Sequence, residues 1–139
     1  MHNKTTTRTG DAGMEGASVL LGVLSGSAQR RAHARRAYAH WPTHPVRRLF
    51  VVADDGSPSG ADELRVRGVV EHAVTGSFST AGTVTVLVKL VAFLKHAASA
   101  PEQVVGVADD DTFVSLPRVQ SLASLLLPYG RFYAGHFEW

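Results

Sequence analysis

The chain has 139 residues, about one domain's worth, and 45 % of them are hydrophobic, which is ordinary for a globular fold. A formal net charge of +2 is too small to argue for nucleic acid as a partner, and the lack of cysteine excludes disulfides, zinc–thiolate sites and thiol nucleophiles. The longest apolar run, Val84 to Leu94, falls short of the roughly 20 residues that a bilayer span needs, and Lys89 interrupts it, so no membrane span is expected.

Residues 1–17 are polar, rich in Thr and Gly, and without periodicity. They read as a flexible leader without the apolar centre of a signal peptide. Residues 18–24 (SVLLGVL) form a compact apolar run that suits a buried strand. Ser25-Gly26-Ser27 breaks the run and offers an N-cap to a helix from Ala28 to His40, which ends before Trp41-Pro42. Leu49 to Ala53 is a second buried strand, followed by a loop from Asp54 to Gly60. Ala61 to Gly68 reads as a short helix and Val69-Val70 as a minor strand. Thr83 to Ala98 alternates briefly like a strand, but its apolar residues recur at helical spacing for too long, so a buried helix is expected. Val104 to Ala108 is a third buried strand, stopped by Asp109-Asp110-Asp111. Pro117 sits near the start of a helix with Val119, Leu122, Ala123 and Leu126 on one face, and Phe132 to Ala134 reads as a last short strand. This alternation predicts an α/β fold with a parallel sheet, whose ligand sites lie beyond the carboxyl ends of the strands.

Two features fall at such ends. Three adjacent aspartates repel one another and raise each other's pKa unless a cation neutralises them. In extended backbone Asp109 and Asp111 point the same way, and two hard oxygen ligands at that spacing suit Mg²⁺ or Mn²⁺ shared with a substrate's phosphates. A solvated acidic turn is the plainer alternative, and Asp54-Asp55 is read as one. Arg30, Arg31, Arg35 and Arg36 are expected in the first half of their helix, near its positive end, where cations are unfavourable unless an anion is bound. Arg31 and Arg35 are one turn apart and suit a diphosphate, against the alternative of a solvated basic face. Gly22 and Gly26 do not make a dinucleotide fingerprint, and there is no P-loop. A Mg²⁺-dependent phosphatase of the haloacid dehalogenase type needs Thr or Val where Phe113 stands.

Three segments are similar to a known family. Residues 19–26 (VLLGVLSG) with Arg30, Arg31 and Arg35, residues 105–119 (VGVADDDTFVSLPRV), and residues 132–136 (FYAGH) resemble β-1,3-galactosyltransferase-like enzymes, glycosyltransferase family 31, in order and spacing. The resemblance implies a Rossmann-like GT-A fold over residues 18–139, incomplete at the C-terminus, that holds the donor-binding half of an inverting hexosyltransferase. Such an enzyme moves galactose or N-acetylglucosamine from a UDP-sugar to a glycan hydroxyl in a β-1,3 link. Ser25, Arg31, Arg35, Lys89, Asp109 and Asp110 would bind the nucleotide sugar. Asp109 and Asp111 would hold Mn²⁺ or Mg²⁺ against the diphosphate, and Lys89 would pair with these carboxylates, unless it is a lysine snorkelling from a buried helix. The partners would be the UDP-sugar donor and a glycan or glycoconjugate acceptor, on the lumenal side of the Golgi membrane to which the family is usually anchored.

The chain departs from the family at Tyr38, where Trp is usual and Trp41 stands nearby, and at Ala81 and Thr83, where Asp and Tyr are usual. The carboxylate base of the family is expected beyond Trp139, with packing roles for His136, Glu138 and Trp139. A non-catalytic UDP-sugar-binding fragment is the runner-up, and the phosphatase a more distant third.

Overall fold

The computed structural model describes residues 16–41, 45–69, 71 and 80–135. Four strands, β1 (Val19–Leu24), β2 (Arg47–Ala53), β3 (Glu63–Val66) and β4 (Val104–Asp109), form one sheet in the order β3-β2-β1-β4. All three pairings are parallel. With α1 (Ala28–Tyr38), α2 (Thr80–Ala97) and α3 (Leu116–Leu126), and a 3₁₀ turn at Leu127–Tyr129, the chain is α/β as expected.

All six residues of β1 are buried, because the strand is covered on both faces. Its side chains alternate between two cores. Val19, Leu21 and Val23 join Phe50, Val52, Ala34, Tyr38, Leu116 and Ala123 on the side of α1 and α3. Leu20 and Leu24 join Leu49, Val51, Val66, Phe93 and Ala97 under α2. Gly22 makes room for α2: a Cβ there would sit 2.6 Å from the ring of fully buried Phe93. Gly22→Ala should therefore cost about 1–3 kcal/mol by overpacking. A urea unfolding curve with an unchanged midpoint would contradict this contact.

Several expectations need correction. The segment Ala61 to Gly68 contains strand β3, not a helix, because Phe50 to Ala53 pairs with Glu63 to Val66 and ladder bonds outweigh the local helix preference. Val69 lies outside any strand, and Val70 lies outside the described residues. Helix α2 forms but is not buried all round, since its outward apolar residues are exposed. Strand β4 is an edge, half covered, with alternating exposure. Phe132 to Ala134 is not part of the sheet among the described residues and is not assigned to a strand. Helix α1 ends at Tyr38, so Arg35 and Arg36 fall in its last turn, where the dipole favours cations, and only Arg30 and Arg31 lie near its positive end. Ala17, assigned to the leader, is buried in the core with its N–H bonded to Ser124 Oγ at 2.8 Å. The rest of the leader, residues 1–15, and the tail residues His136, Glu138 and Trp139 lie outside the described residues.

Candidate functional site

The chain leaves β1 towards β2 and β3, then returns through α2 to β4 on the other side of β1. The strand order therefore reverses between β1 and β4, and the crevice beyond their carboxyl ends is the place where open α/β sheets bind ligands. The register Leu24↔Asp109 puts Ser25 and the aspartates side by side at that point.

Among the described residues, the buried polar or charged ones are Ser25, Arg31, Lys89 and Asp110. All four meet at this crevice. Asp110 Oδ2 accepts from Gly26 N at 2.9 Å and from Ser25 Oγ at 3.0 Å, and Asp110 N donates to Leu24 O at 3.1 Å. Ser25 Oγ in turn accepts from Arg31 Nη1 at 3.0 Å, and Lys89 Nζ donates to Ser25 O at 2.6 Å. Lys89 is thus no snorkelling lysine: its ammonium is held inward on a backbone carbonyl. Burial pushes its pKa down, as does Arg31, while Glu71 and Asp110 oppose the shift.

Asp110 also supplies the negative charge that the start of α1 attracts. Ser27 caps this helix, its Oγ accepting from Arg30 N at 3.2 Å. The two arginines of the following turn part company. Arg30 faces the aspartates, 3.1 Å from Asp111 and 3.9 Å from Asp110. Arg31 faces the other way, 2.7 Å from Glu71 and 3.4 Å from Glu63. Arg35 does not reach the crevice: it binds Asp62 and Glu63, each at 2.8 Å, and lies over the Phe50 ring at 4.9 Å.

The strand ends at Asp109 and a turn follows, closed by Thr112 N to Asp109 O at 3.1 Å, so the extended alternation expected to align Asp109 with Asp111 does not continue past the first aspartate. Asp110 turns inward, whereas Asp109 and Asp111 stay exposed on either side of it. Partial desolvation, then the charges of Asp111 and Asp110, push the pKa of Asp109 up, against the pull of Arg30.

A cleft of about 410 Å³ opens beside this turn. Arg30, His33 and Tyr38 of α1 line one side, and Asp110 to Phe113 the other. Trp41 packs on Phe113 beside the cleft, with ring centroids 5.7 Å apart. A larger cleft of about 560 Å³ lies against the amino end of β2, between Arg35, Tyr38, Arg48 and Phe50. It is far from the strand tips, so the smaller cleft is the better candidate.

Of the residues singled out from the sequence, Ser25, Arg31, Lys89, Asp109, Asp110 and Asp111 come together, while Arg35 stands apart. Arg30 and His33 were missed as cleft residues, and so were Glu63 and Glu71 as partners of the arginines. Arg30 was detectable as a member of the basic run, but which of its arginines faces the aspartates depends on where the helix starts. No family model, curated protein sequence or solved structure matches this chain.

Proposed function

We propose that the chain binds the diphosphate of a UDP-sugar through a divalent cation, as the donor-binding part of a hexosyltransferase with a GT-A arrangement. The observation that carries this reading is the pairing of acid and base across one cleft: buried Asp110 and exposed Asp111, just past the tip of β4, on one side, Arg30 and His33 on the other. Galactose or N-acetylglucosamine as the sugar, a glycan hydroxyl as the acceptor, a β-1,3 link and a Golgi location follow from the family resemblance.

Among the described residues no three carboxylates or histidines gather around one metal position, so Asp109 and Asp111 would hold a hard cation such as Mn²⁺ or Mg²⁺ only together with phosphate oxygens of the ligand. Both offer oxygen ligands towards solvent, and Asp109 carries the uphill ionisation that a cation relieves. The bound ion would neutralise charge on the departing diphosphate. Arg30 is then the guanidinium nearest the phosphates, in place of Arg35. Arg31, Lys89 and Asp110 act through Ser25, holding the turn between β1 and α1 against the tip of β4 so that the two walls keep their spacing.

Calorimetric titration with UDP, with and without Mn²⁺, tests this. Binding that requires the metal is expected. Equal binding in its absence, or none by a folded sample, sinks the reading. Both aspartates that line the cleft are already engaged, Asp110 by Ser25 and Gly26 and Asp111 by Arg30. That favours, as a second reading, a module that binds the UDP-sugar without turning it over. Release of UDP from UDP-galactose separates the two.

A further inference from the structure

The smaller cleft differs between its two ends. Its α1 side is built from Arg30, His33, Ala34, Ala37 and Tyr38, one face of the helix over two turns. It therefore extends about 12 Å along the helix at 1.5 Å per residue. Two contacts fix its direction. Arg30 meets Asp111 at 3.1 Å near the amino end of α1. Phe113 meets Trp41, three residues beyond Tyr38, past the carboxyl end. One end is thus charged and the other aromatic. Between them Ala34 and Ala37 present only methyl groups, which leaves room along the wall.

Phe113 is 64 % exposed although it is apolar. Trp41 packs on its ring without itself lining the cleft, so the phenyl group is supported from outside and open on the cleft side. A ligand that matches both ends carries anionic oxygens and a flat ring, joined by a short spacer. A nucleoside diphosphate has that form. We propose that the aromatic end of the cleft holds the nucleobase, stacked on Phe113. This rests on the diphosphate reading given above and extends it to the other half of the ligand. Stacking uses the π-face that every base has, so Phe113 adds affinity for the nucleoside without choosing among bases.

Titrations of the full 139-residue chain with UDP and with inorganic pyrophosphate, both in Mn²⁺, test the assignment. Phe113→Ala should weaken UDP binding on the order of 10-fold, within the range for removing an aromatic platform under a base, and leave pyrophosphate binding unchanged. Phe113→Tyr keeps the ring and should bind UDP like the wild type. UDP, but not pyrophosphate, should change the tryptophan fluorescence, and Trp41→Phe should remove that response. A loss shared equally by the two ligands overturns the proposal, as does a Phe113→Tyr chain as weak as Phe113→Ala. Pyrophosphate bound with the metal, and UDP indifferent to Phe113→Ala, removes the base site alone. A folded wild-type chain that binds neither ligand removes the diphosphate reading, and the base site with it.

Discussion

Glu63→Ala should destabilise the fold by about 3 kcal/mol, the low end of the cost of removing one partner from a buried ion network, because Glu63 and Arg65 are part-buried. The Glu63 side chain is only 7 % exposed, yet it serves three arginines: Arg35 at 2.8 Å, Arg65 at 3.1 Å and Arg31 at 3.4 Å. It also accepts from Gly60 N at 3.2 Å. Its loss leaves Arg31 and Arg65, themselves largely buried, with one counter-charge fewer. The midpoint of thermal unfolding should fall by roughly 10 °C or more. A drop of less than about 1 kcal/mol, the value of an exposed pair, would show that the network is not formed.

The same residue sets a pH dependence. Burial alone would raise the Glu63 pKa, but the hydrogen bonds from Arg35 and Gly60 and the charges of Arg31 and Arg35 bring it below the ordinary value. The folded state therefore prefers the ionised form. The resulting stabilisation is complete above the unfolded value of about 4.3 and is lost as pH falls through the depressed folded value. The stability difference between the wild type and Glu63→Gln should shrink across that window. A difference that is flat with pH would contradict the assignment.

Asp111→Ala should do the opposite: little to the fold and much to the ligand. The Asp111 side chain is 57 % exposed and its close partner is the part-exposed Arg30. An exposed pair of this kind contributes about 0–1 kcal/mol. As one of two proposed metal ligands, however, its removal should weaken Mn²⁺-dependent UDP binding on the order of 100-fold, the upper part of the range seen when groups that support a metal are deleted. Unfolding curves and UDP titrations on the same sample give both numbers. Equal loss of stability and binding would mean that Asp111 only holds the turn. Unchanged binding would remove it from the metal site.

The strand tips were the most legible part of the fold. Val19 to Leu24 and Leu49 to Ala53 are apolar runs of strand length that end in Gly, Ser and Asp, and those breaks mark where the chain turns at the end of the sheet. The aspartates and Ser25 were read correctly as neighbours of the crevice because a parallel sheet sends every strand end to the same side. Strand β3 was not legible. Its Glu-Leu-Arg-Val has good helix formers, and only pairing with β2 and the arginines around Glu63 make it extended. The partners of Arg31 and Arg35 were equally hidden, since Asp62, Glu63 and Glu71 lie 27 to 40 positions away and no local pattern joins them. Helix α2 misled in another way. Apolarity on every side signals cover on every side, and within the described residues only its inner face has it.

The pairing of β1 with β4 has a consequence for biosynthesis. Ser18, just before β1, bonds with Gln103, just before β4, across 85 positions of sequence. At a translation rate of about 5–20 residues per second, the ribosome takes roughly 4–17 s to deliver that partner. Throughout this delay the most apolar strand of the sheet, Val19 to Leu24, has one unpaired edge. Such an edge is a template for association with other nascent chains. Chaperone engagement during synthesis should therefore centre on this strand and end once Asp109 has cleared the exit tunnel.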